Sequence, residues 1–312
     1  MDGRTAKPLS RTLIRAAVHS FWPFPLPWYS KITNVFGKPV NGDLSAMPKM
    51  MPMSTATATA PSTTHGLSTV ELAHFHEHGW VIKRRLFDSA FNTRMANEID
   101  GLHEAMARHA PDHVGVSWEE NMPAGTAPRI RQLMNSERVA ATIDAVTRSE
   151  EVLSVMRQLI GPDIYLFHSK LMMKAARDGS FTPWHQDFQY WQFESKLPSQ
   201  VNCMLFVDGA DTENGCLRMV DGSHKAGLRP LKKFASNSFS IGLEGDLATY
   251  PDASLLHMQP GDAVFFGALV IHGSGPNGSD RDRRANTFAF DKVGNRLTGE
   301  LHPDNWRCGR RP

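Results

Sequence analysis

His185 and Asp187 stand two residues apart in Pro183-Trp184-His185-Gln186-Asp187, and His272 lies far downstream in Val270-Ile271-His272-Gly273-Ser274. Side chains two apart on a strand share a face, so the spacing predicts an imidazole beside a carboxylate. Two His and one carboxylate on one side of a metal form the facial triad of non-heme Fe(II) chemistry, which leaves positions open for a co-substrate and O2. Arg283, eleven residues after His272, carries a planar fork that grips carboxylates bidentately. That suits the distal carboxylate of 2-oxoglutarate. Arg284 is the alternative clamp: neighbours on a strand face opposite ways, so only one of the two enters a barrel. The bland alternatives are an ordinary hydrogen-bonded His–Asp pair, a surface His at a strand end and two surface arginines. His-x-Asp alone recurs by chance; the ordered set is much more specific.

Other motifs accompany these residues: Leu67-Ser68-Thr69-Val70-Glu71-Leu72, His76-Glu77-His78-Gly79-Trp80-Val81-Ile82, Glu213-Asn214-Gly215-Cys216-Leu217-Arg218-Met219-Val220, Asp221-Gly222-Ser223-His224 and Pro260-Gly261-Asp262. Taken with them, the chain from about Gly66 to about Phe290 resembles the phytanoyl-CoA dioxygenase-like (PhyH) branch of the Fe(II)/2-oxoglutarate oxygenases. The resemblance implies a double-stranded β-helix, with Fe(II) on His185, Asp187 and His272 and with 2-oxoglutarate and O2 as co-substrates. It favours Arg283 over Arg284 as clamp, adds Ser274 to the same carboxylate, and places Lys170 and Met204 near the co-substrate. Lys is more often solvated and Met more often core. His224 falls in a motif where a structural role is expected. In halogenating relatives the carboxylate position is small; Asp187 fills it here, which favours hydroxylation of a C–H bond with release of succinate and CO2.

The elements that must position these residues fall into two blocks. Ser68 with Glu71 three residues later reads as a capping box for a helix to His78, stopped by Gly79, with a strand at 80–82. Phe91, Met95, Ile99, Leu102 and Met106 recur at helical steps and predict a helix from Ser89 to about His109. Two further helices are expected over 137–147 and 149–159. From Ile164 the pattern turns to short strands, expected at 164–174, 184–191, 200–207, 216–220, 262–266, 269–272 and 284–290. Helices followed by short strands predict an α+β fold: a jelly-roll, cupin-like barrel with flanking N-terminal helices. If the strand after Asp187 stays regular, Gln189 and Trp191 share the ligand face as substrate contacts, while Phe188 and Tyr190 face away. Arg129 and Arg131 are further substrate candidates.

Composition bounds the rest. With 41% hydrophobic and 21% charged residues, the chain has an ordinary globular balance. Residues 1–52 hold seven Lys or Arg against Asp2 and Asp43, a surplus of five, so the overall +2 leaves the remainder at −3. No basic nucleic-acid face and no membrane span are expected. Cys203, Cys216 and Cys308 form no CxxC pair, which points to a reducing, cytoplasmic setting. Residues 1–65 read as a disordered leader or an upstream start, with a faint transit-peptide character as the second reading. Residues 66–312 read as one catalytic domain acting on a small molecule. Its rivals are a cupin-like metal-dependent isomerase or hydrolase without 2-oxoglutarate, and a non-catalytic barrel module. Oligomeric state is not legible.

Overall fold

Ser68 starts the first helix as the capping box predicts: its backbone N–H donates to Glu71 Oε2 at 2.7 Å and its Oγ accepts from the Glu71 N–H at 3.3 Å. Gly79 ends that helix with φ 87°, a left-handed conformation that costs glycine little. A Cβ there would also meet His224 Nδ1 at 2.5 Å. The computed structural model describes residues 65–109, 115–120, 122–230, 232–233 and 241–298; the leader up to 64 and Cys308 lie outside them. The described elements fall in a unit that begins at Thr63.

Among the described residues four α-helices come before residue 164: α1 (Thr69–His78), α2 (Ser89–His109), α3 (Ala141–Thr147) and α4 (Glu150–Ile160). The helix expected over 137–147 is split. Ser136–Arg138 forms a 3-10 turn, and Ala140 is extended at φ −137°, ψ 116°. The strands are β1 (Trp80–Lys83), β2 (Val116–Trp118), β3 (Ile130–Met134), β4 (Ile164–Lys174), β5 (Thr182–His185), β6 (Val201–Phe206) and β7 (Leu217–Met219). They continue as β8 (Lys232–Lys233), β9 (Ile241–Gly242), β10 (Ser254–Leu256), β11 (Ala263–Gly267), β12 (His272–Ser274) and β13 (Arg283–Lys292). A seven-stranded sheet runs β1-β11-β6-β13-β4-β3-β2, a four-stranded sheet runs β10-β7-β12-β5, and β8 pairs with β9.

Alternation along the strands divides the large sheet into two faces. On the outer face, Leu171, Met173, Cys203, Phe265, Phe288 and Phe290 pack in one cluster with Met95, Ile99 and Val155 of the helices. On the inner face, Met204, Phe206, Val264 and Ala285 pack against Leu217, Met219 and Leu256 of the small sheet. Two antiparallel sheets closed over a shared interior, with helices on the outside of one, make the jelly roll.

The strand expected over 184–191 is not one strand. β5 ends at His185, and Phe188–Trp191 forms a helical turn, α5. Its amides bond locally, Gln189 N to Gln186 O at 3.0 Å and Tyr190 N to Asp187 O at 2.9 Å, instead of to a neighbouring strand. The strand expected over 269–272 starts later, at His272, because Val270 N closes a turn onto Gly267 O at 3.0 Å. β2, β3 and β10 are strands without a clear alternating signal in the sequence.

Candidate metal centre

His185 and His272 sit directly opposite one another on β5 and β12, with ring centroids 4.1 Å apart. Asp187 reaches the same place by another route than strand alternation: it lies past the end of β5 with helical φ −59° and ψ −34°. Its Oδ1 is 3.8 Å from His185 Nε2 and its Oδ2 is 3.8 Å from His272 Nε2. Those gaps exceed a hydrogen bond but fit ligand atoms each about 2.1 Å from one ion. One ligand atom from each of the three lies within 4.8 Å of the others, and all three residues are buried.

Backbone carbonyls fix both rings. His185 Nδ1 is 2.8 Å from Pro183 O and His272 Nδ1 is 3.0 Å from Val270 O, which points each Nε2 at the common centre. Asn202 Nδ2 donates to Asp187 Oδ2 at 2.7 Å. Burial, reinforced by nearby His272, holds the His185 imidazole down to about 3, so it stays in the neutral form that ligates metal. Burial alone would raise the Asp187 carboxyl, but His272, Lys170, His185 and His168 together keep it below its ordinary range. The donor set therefore fits a divalent ion bound by two imidazoles and one carboxylate.

The two adjacent arginines part as alternation requires. Arg283 points inward, is only 3% exposed, and its Nε and Nη1 have no hydrogen-bond partner. Burial pulls its guanidinium to about 10, still charged at neutral pH. Arg284 points outward, where Asp208 accepts from its Nε at 2.8 Å and from its Nη2 at 2.9 Å, and Asp100 from its Nη1 at 2.6 Å. A buried, charged fork with unpartnered N–H groups is what a carboxylate ligand would satisfy. Ser274 follows His272 by two on β12 and is buried. Thr287 of β13 pairs with Lys170 on one side and Met204 on the other, so both flank the same inner row. Lys170 is half-buried, makes no hydrogen bond or ion pair among the described residues, and interacts electrostatically with Asp187. Met204 packs in the inner core.

The helical turn reassigns the candidates that followed Asp187. Tyr190, expected to face away, packs edge-on to His185 at 6.0 Å. Gln189 is fully buried and engaged: its Oε1 accepts from Gln186 N at 3.1 Å and its Nε2 donates to Arg229 O at 3.3 Å. Gln186 holds the same segment through Gly227 O at 2.9 Å and Arg229 N at 2.7 Å. Trp191 packs edge-on against His168 at 5.3 Å and Phe167 at 5.4 Å. Arg129 is ion-paired with Asp282, and Arg131 donates to Phe181 O at 3.1 Å near Lys174. Lys174 pairs with Arg283 across the strands, which puts Arg131 at the Arg283 end of the barrel. Two surface cavities, about 700 and 540 Å³, are lined by residues such as Phe181 and Leu247, and Asp208 and Arg281; no triad residue lines either. His224 Nε2 lies 3.2 Å from His76 O, tying its motif to α1.

His168 and Asn202 carry no motif of their own in the sequence, but each precedes an inner residue, Lys170 or Met204, by two positions on the same strand.

The profile of the phytanoyl-CoA dioxygenase (PhyH) family matches residues 75–285, about two thirds of the chain. The ectoine dioxygenase of Bordetella parapertussis is 24% identical over 260 residues, 79% of this chain and 81% of that protein. The peroxisomal phytanoyl-CoA dioxygenase of Bos taurus is 27% identical over 239 residues, 72% of this chain and 68% of that one. Among solved structures, EctD from S. alaskensis with 2-oxoglutarate and 5-hydroxyectoine aligns with a TM-score of 0.61 at 18% identity. It covers 80% of this chain and 85% of that one, which fixes the fold.

Proposed function

The chain belongs to the phytanoyl-CoA dioxygenase family, and on that premise we propose that His185, Asp187 and His272 hold Fe(II) while Arg283 and Ser274 hold the distal carboxylate of 2-oxoglutarate. The reaction class is that of an Fe(II)- and 2-oxoglutarate-dependent dioxygenase, an oxidoreductase that consumes O2 and releases succinate and CO2. The observation that carries the site assignment is the pairing of a buried two-His, one-carboxylate cluster with a buried arginine whose N–H groups lack partners. A metal-dependent isomerase or hydrolase would have no use for that arginine.

The bound metal and co-substrate supply the oxidising power. The residues of this chain supply geometry and a dry site. Pro183 and Val270 carbonyls orient the two imidazoles, and Asn202 holds the Asp187 carboxylate at one rotation. Arg283 offers two preset donors at the end of β13, so the co-substrate meets a charge that needs no rearrangement. Lys170 adds a second cation between clamp and ligands. Tyr190 and Trp191 narrow the approach to His185 and His168. The substrate is a small organic molecule hydroxylated at a C–H bond held against this aromatic wall. Cys203 and Cys216 are free and buried, and no helix among the described residues is long and apolar enough to cross a membrane; a reducing, cytoplasmic setting suits both the thiols and ferrous iron.

The test is succinate formation from 2-oxoglutarate with added Fe(II) and O2. Wild-type protein should turn over 2-oxoglutarate, and Asp187→Ala should lose it by more than about a thousandfold, since one ligand of three is removed. Equal succinate release by Asp187→Ala would overturn the assignment.

A further inference from the structure

The inner face of the large sheet is built in rows across β4, β13 and β6. Lys174 sits beside Arg283, then Met172 with Ala285 and Phe206, then Lys170 with Thr287 and Met204, and last His168 with Ala289 and Asn202. Ala289 lies six residues from Arg283, roughly 20 Å along the strand. Asn202 and His168 both act on Asp187, one by hydrogen bond and one electrostatically. The last row is therefore the one at the metal centre, and the rows towards Arg283 are the ones 2-oxoglutarate would span.

That last row has a specific polarity. Asp187 is an acceptor only, so Asn202 must present Nδ2 to it, which turns Asn202 Oδ1 away. This Oδ1 is buried and has no partner. His168 Nδ1, across Ala289, is also buried and without a partner. Asn202 is fully buried and His168 is 7% exposed. Buried polar atoms without a partner are exceptions in a native interior and call for an explanation. The residue between them, Ala289, is fully buried among Tyr165, Phe167, Phe188 and Trp191, so a larger side chain there would press on both polar atoms. Trp191 and Phe167, packed on His168, give the row an apolar flank.

We infer that His168, Ala289 and Asn202 form a substrate subsite for a neutral hydrogen-bond donor, an alcohol O–H or an amide N–H, beside the metal ligands at the end of the inner face away from Arg283. The inference rests on the metal assignment above. Asn202 Oδ1 can only accept, so it selects a donor and disfavours a carboxylate. Lys170, one row away, disfavours an ammonium. The substrate class is then a compact, largely apolar molecule with one such donor near the carbon that is oxidised.

Matched fragment pairs test this on protein loaded with Zn(II), which is redox-inert, and 2-oxoglutarate. The probes are 2-pyrrolidinone against N-methyl-2-pyrrolidinone, and cyclohexanol against methoxycyclohexane, followed by saturation-transfer NMR. The donor member of each pair should bind at least about fivefold more tightly, the worth of one buried hydrogen bond. His168→Phe, which keeps the ring packing, should shrink that preference. Ala289→Val should weaken both donor fragments, and 2-oxoglutarate affinity by calorimetry should stay at the wild-type value in both variants. Equal binding within each pair, binding by no fragment, or a donor preference intact in both variants would overturn the subsite while normal 2-oxoglutarate affinity left the metal assignment standing. Failure of 2-oxoglutarate to bind the metal-loaded wild type would sink the metal assignment itself, and this inference with it.

Discussion

The two faces of the seven-stranded sheet come from the same strands and obey opposite rules. Outside, apolar side chains pack against the helices, and the one arginine of the pair that points there is fully engaged by Asp208 and Asp100. Inside, Arg283, His168 and Asn202 are each buried with a polar atom left without a partner. Unsatisfied buried polar groups cost stability. The outer face stabilises the fold, and the inner face carries a cost that a bound ligand would offset. Arg283 and Arg284, one residue apart, show the division most plainly.

The sharpest way to break this contrast is to remove each arginine in turn. Arg283→Met should raise the 2-oxoglutarate KM by about a hundredfold, as expected for losing a charge-assisted bidentate contact, with little loss of unfolding stability. Arg284→Met should do the reverse. Its loss strands Asp208 and should lower unfolding stability by about 1–3 kcal/mol in a urea titration, with 2-oxoglutarate affinity near wild type. Matching effects from both variants would erase the distinction between the faces. Asn202→Ala comes next: freeing the Asp187 carboxylate should weaken Fe(II) binding by about 10-fold or more, read by competition with a chelator. An unchanged metal affinity would mean that Asp187 needs no orientation.

A smaller effect concerns pH. Burial holds His168 and His185 down to about 3 in the folded protein, against about 6.5 in the unfolded chain. The unfolded state then binds more protons, so stability of the metal-free protein falls as pH drops from about 6.5 towards 3. Each of the two contributes a slope of up to about 1.4 kcal/mol per pH unit. His168→Phe should flatten the fall in urea midpoint between pH 6 and pH 4; an identical slope would show that His168 is protonated when folded.

Residue type and spacing single out the three residues that the fold gathers, the arginine that it buries and the α+β order, because each rests on local rules: a capping box at Ser68, helical periodicity through Met95 to Met106, and alternation across Arg283 and Arg284. What failed was the assumption of regular continuation. Alternation puts Asp187 on the face of His185 only if the strand runs on, yet the chain turns helical there and the carboxylate arrives by the turn. The same turn brings Tyr190 to the site and puts Gln189 to work holding the 227–229 segment. Only tertiary partners, such as Ala268 O accepting from Phe188 N, decide such a break. His168 and Asn202 share the inner face with Lys170 and Met204 by strand alternation, but which of their polar atoms lack a partner is visible only in the fold.

Titration of the wild-type protein with Fe(II) and then 2-oxoglutarate under argon, followed by visible absorption, tests the central claim most directly. Chelation of one ferrous ion by the keto acid should produce a charge-transfer band that saturates at one metal per chain, is lost in Asp187→Ala, and needs far more 2-oxoglutarate in Arg283→Met. A band of full intensity in Asp187→Ala, or no band in wild-type protein at saturating 2-oxoglutarate, would contradict it.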